Sequence, residues 1–227
     1  MKPTARQGVA AMPLFYRSCW HIARVLFRGF YRWQIEGVEN VPMTGAVILA
    51  ANHVSYMDPP LIGAALLRPI YFLARSTLFS NPLMGWLIRT LHALPVDRDG
   101  GAGSGLKAVL DLLKQRDGII LFPEGTRSMD GAIQRARAGI GLTVIKSKAP
   151  VVPVRLVGVH ETWPRHQKFP KPGPIAILFG KPLDFSALSV EAETCDRIRL
   201  KAIYQQVSDE IMNAIATLAP STKWPNS

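Results

Sequence analysis

Residues 46–60 read AVILAANHVSYMDPP: the apolar run AVILAAN at 46–52, which ends in Asn52, a polar turn, then an aspartate followed by two prolines. An apolar run this short, closed by polar turn residues, reads as a buried strand. Asp-Pro-Pro suits the first turn of a helix, where proline's fixed φ is already helical and its missing N–H would have no partner. The stretch predicts a strand handing over to a helix, with His53 and Asp58 at the junction. Further apolar runs follow: IYFLA (70–74), HALPV (92–96), GIILF (118–122), VVPVRLV (151–157) and IAILFG (175–180). Helical stretches lie between several of them. This alternation predicts an α/β domain with a mixed, largely parallel sheet flanked by helices.

The connecting segments add detail. GAGSG at 101–105 lacks the P-loop lysine and the spacing of a dinucleotide fingerprint, so it reads as a flexible connection into the helix-like LKAVLDLLKQR. WPRHQKFPKPGP at 163–174 carries four prolines and predicts an extended surface loop. From about Val190 to Leu218, Ile198, Ala202, Val207, Ile211, Ile215 and Leu218 recur at near-helical intervals and predict one amphipathic helix closing over the sheet. With no internal repeat or low-complexity tract, we expect residues 1–36 to form an N-terminal membrane-associating helical segment and 37–227 one catalytic domain.

Lysine and arginine number 27 against 16 acidic residues, a net charge of +11 that favours an anionic partner. Only 19% of residues are charged while 48% are hydrophobic, which suits a protein resting on lipid better than a nucleic-acid module. No recognised nucleic-acid module is present, and nucleic acid is not an expected partner. Cys19 and Cys195 have neither disulfide nor zinc spacing and point to a reducing compartment. The start lacks the layout of a signal peptide, and no apolar stretch reaches transmembrane length. In LFYRSCWHIARVLFRGFYRW (14–33), Arg17, His21, Arg24, Arg28 and Arg32 recur at helical spacing. Such a helix can bury its apolar side in an anionic membrane surface while guanidinium groups meet lipid phosphates, or it can pack on this protein's own core. The expected location is the cytoplasmic face of the cell membrane, monotopic or peripheral.

Two constellations carry chemistry. In NHVSYMD, an imidazole with its pKa near neutrality can take a proton from a hydroxyl, and a carboxylate on its other nitrogen would set the tautomer. With five histidines in 227 residues, however, this spacing arises in roughly one shuffled chain in five, and Asp58 is equally a good helix cap. There is no GxSxG elbow, so direct attack by a substrate hydroxyl is simpler than a covalent route. FPEGTRS (122–128) follows the buried run GIIL and offers backbone N–H groups, a hydroxyl and a guanidinium to an anion, although a polar turn after a strand is also ordinary loop chemistry.

NHVSYMD, LPVDRDG (94–100), FPEGTRS and VVPVRLVG (151–158) stand in the order of the four motifs of the glycerolipid acyltransferase family typified by bacterial 1-acyl-glycerol-3-phosphate acyltransferases. From about Gly37 to Phe185 the chain resembles a short bacterial member. The resemblance implies that His53 and Asp58 form the catalytic pair, and that Arg98 with Glu124, Gly125, Thr126 and Arg127 holds a glycerol phosphate. Val152, Pro153 and Val154 match the fourth, more structural motif. Arg75, Pro82 and Gly85 match a family stretch in which the basic residue is usually lysine. Arg137 and Gly139 match a segment in which Ala136 replaces the usual aromatic.

The resemblance further implies acyl transfer from acyl-CoA or acyl-carrier protein to the sn-2 hydroxyl of a lysophosphatidic acid, yielding phosphatidic acid, without a metal or bound cofactor. Glycerol 3-phosphate, another lysophospholipid or a lyso-ornithine lipid are alternative acceptors. A non-catalytic basic membrane-binding protein would explain the charge but leave the four ordered motifs unexplained. Leu83, Met84, Trp86 and Leu87 are candidates for an acyl tunnel and equally for the core.

Overall fold

The computed structural model describes residues 12–97, 102–164 and 167–221. In chain order its elements are α1 (Leu14–Phe30), β1 (Tyr31–Glu36), β2 (Val47–Ala51), α2 (Asp58–Ala65), β3 (Tyr71–Arg75), α3 (Pro82–Thr90), β4 (Ala93–Val96), α4 (Ala102–Lys114), β5 (Gly118–Leu121), α5 (Gly139–Ser147), β6 (Val151–Val157), α6 (Val159–Thr162), β7 (Gly173–Phe179), α7 (Ser186–Thr194) and α8 (Arg197–Thr217). Short 3-10 turns lie at Val38–Asn40 and Ser76–Phe79.

The strands make one mixed sheet in the order β1-β7-β6-β2-β5-β3-β4. Only the β6–β7 pair is antiparallel, so β2, β3, β4, β5 and β6 all point their carboxyl ends to one edge. β2 is central, with Leu49 opposite both Ile120 and Val152. All five of its residues are fully buried, because alternate side chains enter two different cores. Val47, Leu49 and Ala51 pack with α2 and residues of β6 and β7, while Ile48 and Ala50 pack with α4, α5 and α8. Burying each large side chain stabilises the fold by about 1.5–3 kcal/mol. That is why AVILAA shows no period. Pro153, on the neighbouring strand β6, stands where the β6–β7 ladder ends at Val154, and its carbonyl still accepts from Gly180 N (2.8 Å).

Three expectations are corrected. The first helix does not reach Trp33: it stops at Phe30, and Tyr31–Glu36 is an edge strand paired in parallel with β7. YRWQIE alternates, with Tyr31, Trp33 and Ile35 packed towards the core, so the signal was present but overshadowed by the helical spacing of the arginines. The expected N-terminal helical segment thus ends in a strand of the sheet, Tyr31–Glu36. The stretch 190–218 is not one helix, because the chain breaks at Cys195–Asp196 and the Asp196 carboxylate caps α8 by accepting from Arg199 N (2.7 Å). GAGSG is largely absorbed into α4 from Ala102.

The α5–α8 crossing is tight. Gly141 donates its N–H to Ser208 Oγ (3.1 Å), which in turn donates to the Tyr204 carbonyl (2.7 Å). A Cβ at Gly141 would lie 1.9 Å from that carbonyl oxygen, and backbone cannot give way as a side chain can. Gly141→Ala is expected to lower stability by about 3 kcal/mol, read as a shifted urea midpoint at unchanged slope.

Candidate active site

Asn52 fixes the exit from β2. Its buried amide donates to the Leu156 carbonyl (3.1 Å) and accepts from Leu156 N (2.8 Å), locking the chain to β6 immediately before His53. The turn then folds around Asp58. The carboxylate does not cap α2: it lies at the helix's first residue and turns back, so that Oδ2 accepts from Val54 N (2.7 Å), Ser55 N (2.9 Å) and His53 Nδ1 (2.7 Å). Asp58 is completely buried, while the His53 side chain keeps 17% of its surface exposed. An imidazole that donates from Nδ1 to this carboxylate in its neutral form carries its lone pair on Nε2. The imidazole also lies flat on Phe122, with ring centroids 3.9 Å apart and planes at 16°. The ring is therefore oriented twice, by Asp58 at its edge and by Phe122 on its face. The Phe122 contact was not foreseen from the sequence, which places the two residues 69 positions apart.

Phe122 opens the turn that leaves β5, the neighbour of β2. Gly125 adopts a left-handed φ of 71°, closing the turn through Gly125 N to the Phe122 carbonyl (3.0 Å). Glu124 is buried beneath it. One oxygen accepts from His53 N (3.4 Å) and the other has no partner among the described residues. Ser128 N donates to the His53 carbonyl (2.7 Å), so both backbone groups of His53 are tied to the FPEGTRS turn. Burial, reinforced by the negative charge of Asp58 and opposed by backbone N–H groups of His53 and Gln134, pushes the Glu124 pKa up to about 7.

Arg127 is also buried, with its guanidinium carbon 3.4 Å above the exposed Tyr56 ring and Nη1 unpartnered among the described residues. Arg137 lies across Gly125, where an added Cβ would touch its Cδ and Nε at 3.1 Å, while Ala136 is buried in the core. Thr126 is half-buried in the same turn.

The structure thus brings His53, Asp58, Glu124, Gly125, Thr126, Arg127 and Arg137 to one edge of the sheet. Arg75 stands exposed at the carboxyl end of β3, with β5 between its strand and that of His53. Arg98 lies outside the described residues. Among those residues no group of His, Cys, Asp and Glu is placed to hold a metal ion, and Cys19 and Cys195 are unpaired.

The raised pKa of Glu124 has a consequence for stability. Between its ordinary pKa of 4.5 and about 7 the folded state keeps a proton that the unfolded chain has lost. Stability due to this group is fully present below the unfolded pKa and falls as pH rises towards 7. Glu124→Gln removes the titration. Denaturation of both proteins from pH 4 to 8 should show the variant gaining relative to wild type as pH rises, and levelling off above about 7.

α1 reaches the site from behind. Its arginine stripe is not uniform: Arg24 turns inward and donates from Nη1 to the Ala64 carbonyl (2.9 Å) at the C-terminus of α2, while Trp20 Nε1 donates to the Leu66 carbonyl (2.8 Å). The Arg24 guanidinium also lies over the Trp20 and Trp33 rings, at 4.6 and 5.6 Å. α1 therefore braces the helix whose first residue is Asp58. Its outer side exposes Leu14, Ile22, Val25, Leu26 and Phe30. Among the described residues no helix is long and apolar enough to cross a membrane.

An imidazole oriented by a buried carboxylate, and a buried arginine with Nη1 unpartnered among the described residues, thus stand in the turns that follow two neighbouring strands at the carboxyl edge of a largely parallel α/β sheet. The family model described as Acyltransferase matches residues 32–157. The chain belongs to the acyltransferase family. It is 28% identical over 191 residues to a chloroplastic 1-acyl-sn-glycerol-3-phosphate acyltransferase of Arabidopsis thaliana, covering 82% of this chain and 52% of that one. It thus spans about half the length of that plant relative. With the 1-acyl-sn-glycerol-3-phosphate acyltransferase of Bacillus subtilis it shares 28% identity over 76% of this chain and 86% of the relative. The crystal structure of the 1-acyl-sn-glycerophosphate acyltransferase PlsC from Thermotoga maritima has the same fold, with a TM-score of 0.71, 24% identity, and coverage of 93% and 84% of the two chains.

Proposed function

We propose that this protein transfers a fatty acyl group from an acyl thioester, acyl-CoA or acyl-carrier protein, to the sn-2 hydroxyl of 1-acyl-sn-glycerol 3-phosphate at an anionic membrane surface, making phosphatidic acid for phospholipid synthesis. The observation that carries this reading is the 2.7 Å contact of His53 Nδ1 with buried Asp58, which would leave Nε2 as the base, in a turn tied through Glu124 and Ser128 to the one that holds Arg127. The similarity to 1-acyl-sn-glycerol-3-phosphate acyltransferases supports the acceptor.

In the proposed reaction Nε2 removes the hydroxyl proton as the oxygen attacks the thioester carbonyl. The tetrahedral intermediate collapses by breaking the C–S bond, and the imidazolium returns the proton to the departing sulfur. Asp58 stabilises the imidazolium in between. No metal or bound cofactor enters these steps.

Arg127 would supply guanidinium donors to the phosphate, assisted by Arg137, Arg98 and Arg75. Glu124 fits this role in its protonated form: a neutral carboxyl donates a hydrogen bond to a phosphate oxygen, whereas a carboxylate would repel it. The apolar outer side of α1, flanked by Arg17, His21 and Arg28, would lie in the cytoplasmic face of the membrane.

Labelled acyl thioester and a panel of acceptors in mixed micelles test the assignment. Arg127→Ala should lower kcat/KM for lysophosphatidic acid by about 10²-fold, the loss expected for a charge-assisted bidentate contact. Turnover of a phosphate-free acceptor at an equal rate, unaffected by Arg127→Ala, would sink the choice of acceptor.

A further inference from the structure

Three of the four apolar side chains at 83, 84, 86 and 87 are not core residues: Leu83, Met84 and Trp86 are 75%, 46% and 52% exposed. They sit on α3, a well-formed helix with Pro82 in its first turn and the Asn81 side chain accepting from Met84 N (3.0 Å). Leu78, in the preceding 3-10 turn, is 47% exposed. A rigid helix that shows its largest apolar side chains to water calls for a partner.

The patch is continuous with α1, because Phe15 packs on Trp86 with ring centroids 5.0 Å apart, and Leu14 beside it is 71% exposed. Its charge is mostly of one sign. Neither α1 nor residues 71–96 contain an acidic residue, and Arg17, Arg28, Arg75 and Arg89 fall within these stretches; Asp97 follows directly after β4. Apolar surface set among arginines and carrying an indole matches the interface of an anionic bilayer.

We propose that α3 is a second membrane-contacting element, seated on the same phospholipid surface as α1. The inference rests on the membrane reading of α1 and adds to it. One helix lying on a bilayer leaves the domain free to roll about the helix axis. A second contact through α3 removes that freedom. Because α3 begins at the carboxyl edge of the sheet, just past β3, the second contact holds the His53 edge in a fixed relation to the lipid from which an acyl acceptor would come.

The test uses the full chain with Cys19→Ser and Cys195→Ser, and a polarity-sensitive nitrobenzoxadiazole label placed in turn at Val25→Cys, Leu83→Cys and Lys201→Cys. Lys201 is exposed on α8, which packs on the opposite face of the sheet from α2. On adding phosphatidylglycerol–phosphatidylcholine vesicles, emission from labels 25 and 83 should rise and shift to the blue while label 201 is unchanged. Leu83→Glu with Trp86→Glu should weaken vesicle partitioning by about tenfold or more. A response at 25 without one at 83 overturns the α3 contact and leaves α1 in place. Silence at both positions overturns the membrane reading of α1 as well.

Discussion

His53→Ala is expected to reduce acyl transfer by about 10²–10⁴-fold, the range contributed by a well-placed general base. The loss should fall on kcat, with KM for the acceptor little changed, because Arg127 is held by its own burial and by Tyr56 rather than by the imidazole. The fold should survive. The imidazole contributes a ring stack on Phe122, a contact of about 0.5–1.5 kcal/mol, and one of the three hydrogen bonds to buried Asp58, whose bonds from Val54 N and Ser55 N remain; the backbone ties of His53 to Glu124 and Ser128 do not involve its side chain. Pre-steady-state and steady-state rates on a variant whose circular dichroism matches wild type and which still unfolds cooperatively would decide the matter. Near-normal turnover by that variant would remove the base from this residue.

Asp58 separates charge from architecture. Asp58→Ala should cost about 2–4 kcal/mol and most of the activity, because it strands the N–H groups of Val54 and Ser55 and frees the imidazole at once. Asp58→Asn is the more discriminating change. All three bonds converge on Oδ2, so an amide oxygen in that position can still accept each of them, and the amide nitrogen would take the place of Oδ1, which has no partner among the described residues. What the amide removes is the negative charge that stabilises the imidazolium, and we expect kcat to fall by about 10²-fold or more with the turn intact. Hydrogen exchange at Val54 and Ser55 reports the turn, and single-turnover acyl transfer reports the charge. An Asn variant that folds and works at the wild-type rate would make Asp58 purely structural.

Glu124, Asp58 and Arg127 each leave a buried polar atom without a partner among the described residues, all within the same turn system. Such atoms cost about 1–3 kcal/mol apiece when nothing reaches them. Their grouping at one edge fits the proposed site for a polar substrate, whose donors and acceptors would complete the bonds the protein leaves open.

The buried strands were legible because a strand covered on both faces must be apolar at every position: VVPVRLV at 151–157 coincides with β6, and AVILAAN brackets β2. The strand-to-helix turn holding His53 and Asp58 followed from Asp-Pro-Pro by the same local logic, with capping and catalysis both open as roles for the carboxylate. Local pattern alone could not settle β1, because Tyr31–Glu36 carries an alternation and a helical arginine spacing together, and pairing with β7 some 140 residues later tips the balance. Nor could it distinguish Arg24 from Arg28. Both lie on one stripe of α1, yet only the position of α2 turns Arg24 inward onto the Ala64 carbonyl.

By itself, then, the sequence determined the α/β class, the positions of most strands, the base-and-carboxylate spacing and the four ordered motifs that mark the family, since each rests on residues close along the chain. Tertiary structure alone decided that Asp58 faces back to His53 rather than capping α2, that Phe122 and Glu124 hold that histidine, and that α3 turns its apolar side outward. Those outcomes depend on which distant segments become neighbours, and the sum of contacts over the whole fold chooses them where no local preference can.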